Sequence, residues 1–467
     1  MSYQPVSPLI VQSLIDIVGS SQVHSSLSKC TAYGQDKTED LLFLPEVIVL
    51  PKTVVQIQQI MRLCSQNQIP VTPRGAGTGL AGGALPVCGG IVLSMECLNQ
   101  ILEIDEANLQ VTTEPAVITE VLQEKVQEKG LYYPPDPASR GSSFIGGNVA
   151  TNSGGPRAVK YGVVKDYVLN LEVVLPNGDL IWTGANTLKN STGYNLTQLM
   201  VGSEGTLGII TKIVLKLIPL PSHSLLMLVP FRSPTKACAA VSAIFQAGIT
   251  PSCLEFMERA AIDIAANYLQ NNTLPIKEEV QAHLIVEVDG NHLDSLYLDC
   301  EKINSVLEQF DCGTILLADD QTTKNTLWQL RRNLNPAIKQ YSAVKKADTV
   351  VPRAALAELL KGIHQISTQH GIRAINYGHA GDGNLHVSLL QEQLPNPIWE
   401  QQASSTLQAI FKLVKSLNGT ISGEHGIGWI QKKYMPLVFN PVELQLMRAI
   451  KKTFDPTSIL NPSKIID

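Results

Sequence analysis

The sequence predicts an α+β fold of two main domains, and three observations carry that expectation. The chain has 467 residues, 44% hydrophobic and 16% charged, which is ample apolar material for more than one packed core. Its first half reads as short strands punctuated by three glycine-rich, small-residue loops, and this text ends near Pro219-Leu220-Pro221. After that boundary the order is strand, helix, helix, strand, helix, strand, as in a ferredoxin-like layer of helices on an antiparallel sheet. The expected division is a lead-in at 1–40, a first domain at 41–221, a second at 222–430, and a tail at 431–467 that packs back on the first.

Taken in order, Ser7-Pro8 is a helix start, and Leu9, Ile10, Leu14, Ile17 and Val18 follow at helical spacing. The rest of 1–40 reads as loop. Residues 47–50 form a strand stopped by Pro51, residues 54–66 an amphipathic helix with Val54, Ile57, Ile60, Met61 and Cys64 on one face, and residues 69–71 a second strand. That strand runs into the first glycine loop, residues 73–86. Glycine after a strand lets backbone N–H groups approach a phosphate. A dinucleotide fingerprint of the Rossmann type would need a third glycine where Leu80 stands and a helix next, yet residues 81–90 hold four glycines and a proline. A different phosphate cradle is therefore expected. Strands follow at 91–94, 101–105 and 110–113, then a helix at 118–129 stopped by Gly130, a stiff stretch at 132–137, and the second loop at 145–155. Residues 163–178 read as strands with a Pro-Asn-Gly turn, and the third loop runs from 202 to 211. Beyond the boundary, strands are expected at 224–230, 283–288 and 315–317, and helices at 235–246, 255–269, 296–310, 352–370 and 399–417.

Composition excludes several functions. The net charge is −5 and no Lys/Arg block occurs, so nucleic acid is not an expected partner. The eight cysteines include no C-x-x-C pair, which argues against zinc-ribbon and ferredoxin-type sites and for reduced thiols in a cytoplasmic protein. No charged n-region suggests a signal peptide, and no apolar run reaches membrane-spanning length.

The most informative stretch is N-Y-G-H-A-G-D-G-N-L-H-V-S, residues 376–388. Asp382-Gly383 suits a two-residue type I′ turn. A turn centred there would place His379 opposite His386, about 5 Å apart at Cβ. Two imidazoles so placed either pack as satisfied hairpin histidines or grip one metal ion. A third ligand is offered by Glu424 or His425 in S-G-E-H-G-I-G. Cations come from W-Q-L-R-R-N-L-N and V-K-K-A-D-T-V-V-P, residues 328–335 and 344–352.

Together these motifs resemble a known family. R-G-A-G-T-G, G-G-N-V-A-T-N-S-G-G and V-G-S-E-G-T-L-G are similar to the FAD-binding domain of the vanillyl-alcohol-oxidase-like flavoproteins. G-H-A-G-D-G-N-L-H, S-G-E-H-G-I-G and F-D-P-T-S-I-L-N-P resemble the FAD-linked D-2-hydroxyacid dehydrogenases. These include glycolate dehydrogenase subunits, D-lactate dehydrogenases and D-2-hydroxyglutarate dehydrogenases. The resemblance implies a two-subdomain FAD-binding domain followed by a ferredoxin-like substrate (cap) domain. It implies FAD held by Pro73, Arg74, Gly75, Ala76, Gly77, Thr78, Gly79 and Leu80 on one side. Pro135, Asp136, Ile145, Gly146, Gly147, Asn148, Ala150, Thr151, Asn152 and Gly155 would hold it on the other. Glu204, Gly208 and Ile210 would complete the pocket, with Asn461 near the isoalloxazine. Thr78 stands where relatives with a covalent flavin carry histidine, so a non-covalent flavin is implied.

In metal-bearing members the ligands would be His379, His386 and Glu424, with His425 as the base; zinc, manganese and iron all suit such a donor set. Arg331 and Lys346 match positions that hold substrate carboxylates. Asn335 and Ser388 are further substrate contacts, at positions where hydroxyglutarate-specific relatives carry threonine and asparagine. Ser463 replaces the glycine of the usual N-P-G-K tail. The implied reaction oxidises a small D-2-hydroxy acid, glycolate or D-lactate, to the 2-oxo acid by hydride transfer from C2 to flavin N5. D-2-hydroxyglutarate is the alternative substrate. Electrons would leave to a partner, quinone or flavoprotein, in a homodimer or heteromeric complex. Readings of other classes are a metal-dependent hydrolase and a non-catalytic flavin subunit.

Overall fold

The computed structural model describes residues 3–270 and 277–466. They form two compact units: Met1–Ser153 with Val163–Leu220 and Glu424–Asp467, and Gly154–Gly162 with Pro221–Gly423.

The first unit holds two main sheets. One has the strand order Val23–His24, Val47–Val49, Ile91–Ser94, Val71–Arg74, with its last two pairings parallel. The other runs Ile101–Asp105, Gln110–Thr113, Ile209–Lys216, Val168–Val174, Leu180–Trp182, antiparallel throughout. The helix Val54–Asn67 buries the expected Ile57, Ile60, Met61 and Cys64 but leaves Val54, at its first turn, only partly buried, and Thr53 caps its start by accepting from Gln56 N. That face packs with Leu14, Val71, Ile91 and Leu93 and with Val174 and Ile209, so one core serves both sheets. The expected loop of 1–40 instead contains Val23–His24 and a second helix, Leu27–Tyr33. Two-residue strands are defined by their partner, here Val47–Val49, and leave no period to read.

The second glycine loop is corrected too: Ile145–Thr151 is helical. Its glycines are poor helix formers, but packing overrides propensity. A Cβ on Gly146 would lie 2.5 Å from Pro115, and Asn148 Nδ2 donates to Thr119 Oγ1 at 2.6 Å. The tail returns to the first sheet: Val71 N donates to Ile459 O, and Asn461 N to Val71 O. Buried Asp455 fixes that turn by accepting from Leu460 N and Lys451 Nζ.

The second unit is built on one antiparallel seven-stranded sheet. Its order is Leu316–Ala318, His223–Phe231, Ala282–Gly290, Cys253–Glu258, Arg373–Gly378, Asn384–Leu390, Val344–Val350. The expected helix at 255–269 splits into the strand Cys253–Glu258 and the helix Arg259–Leu269. This strand is buried on both faces, so its apolar run carries no clear period and cannot be told from helix by sequence. Alternation sends Glu255 to one face, toward Arg331 on the helix Gln321–Arg332, and Glu258 to the other, toward His364 on the helix Leu356–Gln369. Helices therefore cover both faces.

Candidate active site

The histidine hairpin forms with a different turn. A type I′ turn needs φ > 0 at both central residues, and Gly383 has it at 75° while Asp382 does not. Ala380–Asp382 is a 3₁₀ turn instead. A Cβ on Gly383 would lie 2.0 Å from Val351 O, so this position admits only glycine. The longer connection shifts the register: Tyr377, not His379, lies opposite His386. The imidazoles still meet, because His379 follows the end of the ladder. Its ring sits edge-on to that of His386 with centroids 5.1 Å apart.

Each histidine faces a buried carboxylate. Nδ1 of His379 is 2.8 Å from Glu255 Oε1, and Nδ1 of His386 is 3.3 Å from Asp348 Oδ1. Both carboxylates have no solvent exposure. Burial works to raise the Glu255 carboxyl, but Arg331 and His379 overcome it and hold the group below its ordinary value. Arg331 Nε donates to Glu255 Oε2 at 2.7 Å, and its guanidinium lies over the Tyr377 ring. Asp348 also accepts from Asn384 Nδ2 and from Ser422 Oγ and Gly423 N. Gly423 is thereby anchored beside the His386 strand. The next two residues, Glu424 and His425, belong to the first unit.

Of the other expected substrate residues, Lys346 and Ser388 lie on the same sheet and Asn335 on the helix Leu334–Tyr341. Lys346 Nζ bonds Asn335 Oδ1, and Lys346 lies opposite Ser388 in the ladder. Ser388 is two residues from His386 and so shares its face. Its hydroxyl is buried and has no hydrogen-bond partner among the described residues.

In the first unit the three small-residue segments converge. Gly202 N donates to Val149 O and Glu204 N to Ala150 O. A Cβ on Gly75 would touch Phe144, and one on Gly205 would press on Pro73. Asn461 Nδ2 donates to Gly83 O and Glu204 O. Of the residues expected around FAD, only Gly155 falls in the other unit. This cradle fits an elongated polar ligand on two counts. A Cβ on Gly79 or Gly147 would meet nothing within 4 Å, so their backbones border open space. Asn461 Oδ1 and Tyr133 Oη are buried without a partner among the described residues.

Some of these side chains serve the protein itself. Arg74 donates to the carbonyls of Tyr33 and Gln35, and a Cβ on Gly77 would strike its guanidinium. Asp136 takes Arg140 at 2.9 Å. Gly208 lies against Val173, where a Cβ would clash at 2.3 Å, and Ile210 pairs with Val173 in the sheet. Glu204, whose own φ is 51°, accepts N–H groups from Ile427 and Gly428 at 2.8 Å each. Burial pushes its carboxyl up to about 7 against those two bonds and Lys464. It clamps the segment that carries His425.

Comparison with known proteins accounts for this arrangement. Residues 45–184 match the FAD binding domain model, and residues 220–465 match that of the FAD linked oxidases, C-terminal domain. The chain belongs to the FAD-linked oxidases. This flavoprotein is therefore an FAD-binding oxidoreductase. It is 37% identical over 457 residues to glycolate oxidase subunit GlcD of Bacillus subtilis, covering 98% of this chain and 96% of that one. It is also 37% identical to a D-lactate dehydrogenase of Anaerostipes hadrus, over 90% and 89% of the two chains. A solved p-cresol methylhydroxylase with substrate bound superposes with a TM-score of 0.82 at 18% identity, over 98% of this chain and 96% of that one, which establishes a shared fold. Among the described residues no helix is long and apolar enough to cross a membrane.

Sequence reasoning missed Glu255, hidden in a stretch read as helix, and Asp348, which lies in V-K-K-A-D-T-V-V-P, a motif singled out for its cations. A carboxylate within an otherwise apolar run, C-L-E-F-M-E, was the available signal: a buried charge needs a partner.

Proposed function

We propose that this flavoprotein oxidises a small D-2-hydroxy acid, glycolate or D-lactate, to the 2-oxo acid. The observation that carries the reading is the pair His379 and His386, each backed by a buried carboxylate and set beside Arg331. FAD, held non-covalently along the converging glycine segments with Thr78 among them, supplies the hydride acceptor when bound. A divalent metal on His379, His386 and Glu424, zinc before manganese or iron, supplies Lewis-acid polarisation of the substrate hydroxyl.

The chain's own residues do the rest. Nε and Nη2 of Arg331 face Glu255, and the remaining edge of its guanidinium takes the substrate carboxylate. The Ser388 hydroxyl, buried and without a partner among the described residues, donates to a substrate oxygen. His425 takes the hydroxyl proton, a role typically worth about 10²–10⁴-fold. Lys346 already has Asn335 as its partner, so no second substrate carboxylate is needed to satisfy it, which favours monocarboxylates over D-2-hydroxyglutarate. Electrons pass on to an acceptor protein, quinone or flavoprotein. The domain division read from the sequence, a flavin domain and a cap, assigns the two parts of this chemistry.

The test is anaerobic flavin reduction by glycolate, D-lactate, D-malate and D-2-hydroxyglutarate in the wild type and in Lys346→Ala. Monocarboxylates should keep most of their rate in the variant. Selective loss of a dominant hydroxyglutarate activity would reverse the substrate assignment.

A further inference from the structure

We infer that Glu255 is the positioning residue of the metal centre, fixing the tautomer and orientation of His379; this rests on the metal reading above. The carboxylate is wholly buried in the middle of the sheet, on Cys253–Glu258, between Ala282–Gly290 and Arg373–Gly378. One oxygen meets His379 Nδ1 at 2.8 Å, and the other takes Arg331. An ionised carboxylate only accepts hydrogen bonds. Nδ1 of His379 must therefore carry the proton, and Nε2 keeps its lone pair. The Arg331 guanidinium is paired to the other oxygen of the same carboxylate, which leaves Oε1 to the ring N–H. Removing such a partner from a ligating histidine typically costs about 10–100-fold in metal affinity. Asp348 stands in the same relation to His386 on the neighbouring strand pair, but it also holds Ser422 and Gly423, so Glu255 gives the cleaner test.

A glutamine at this position would present either an amide oxygen or an amide N–H to the ring and would no longer dictate the tautomer. It would also leave the buried Arg331 without its counter-ion, which could perturb the fold by itself. The double variant Glu255→Gln/Arg331→Leu controls for that effect, because it removes the unpaired cation while still leaving His379 without its carboxylate. The FAD-loaded protein is stripped of metal by chelator, then titrated with Zn²⁺ against a chromophoric competitor, with flavin content as a check on folding. The expected result is a Zn²⁺ affinity about 10–100-fold weaker in Glu255→Gln and in the double variant, with unchanged flavin content in both. Equal affinity in Glu255→Gln and wild type would overturn the inference alone, as would wild-type affinity in the double variant. A wild-type protein that takes up no Zn²⁺, Mn²⁺ or Fe²⁺ would overturn this inference and the metal reading together.

Discussion

Nδ1 of His379 lies 2.8 Å from Oε1 of Glu255. The distance decides the chemistry of the ring, because a carboxylate offers no proton and the imidazole must donate. The ring stands close to a second histidine whose Nδ1 also faces a buried acid.

Either His379→Ala or His386→Ala is expected to abolish metal binding while FAD content stays at the wild-type level. The histidines sit on the antiparallel sheet of one unit and the converging glycine segments in the other, so the two losses should separate. Elemental analysis and the flavin spectrum of each purified variant check this; unchanged metal in both would remove the site.

His425→Asn should retain metal and flavin and slow flavin reduction by a large factor, up to about 10⁴. Its loop is held through Ile427 and Gly428 by Glu204, which the substitution leaves intact. Single-turnover reduction under anaerobic conditions is the measurement, and a near-normal rate would place the base elsewhere.

His283 gives a pH prediction independent of the site. Burial, with a smaller push from Arg259, lowers its imidazole to about 4, against about 6.5 in an unfolded chain. Above pH 6.5 both states are neutral and stability is full. As pH falls toward 4, only the unfolded chain gains the proton, so stability drains away, by about 2 kcal/mol at pH 5. His283→Leu should lose less stability than the wild type between pH 7 and pH 5 in denaturant unfolding; an equal loss would acquit this residue.

What was legible in the sequence followed the physical signals available there. Helices with a clear stripe and a start signal, such as Val54–Asn67 and Pro8–Val18, came through. The His379–His386 encounter was legible because a glycine-rich turn between two strand-like runs brings its flanks together. Its register was not, because residues 379–383 close through a 3₁₀ turn that Asp382-Gly383 does not announce. Ile145–Thr151 was hidden by helix-averse glycines that tertiary packing at Pro115 overrides. Glu255 was hidden by a strand buried on both faces. Glu204, expected at the flavin, turned out to bind backbone N–H groups more than two hundred residues away in sequence, which no local pattern encodes.

The central claim is that this flavoprotein takes a hydride from a small D-2-hydroxy acid. Its most direct test is the visible spectrum of the purified, FAD-loaded protein mixed without oxygen with glycolate, D-lactate, D-malate or D-2-hydroxyglutarate. The account predicts rapid bleaching by glycolate or D-lactate, faster than by D-2-hydroxyglutarate. Flavin that stays oxidised with all four acids, or that responds to hydroxyglutarate far better than to the others, would contradict it.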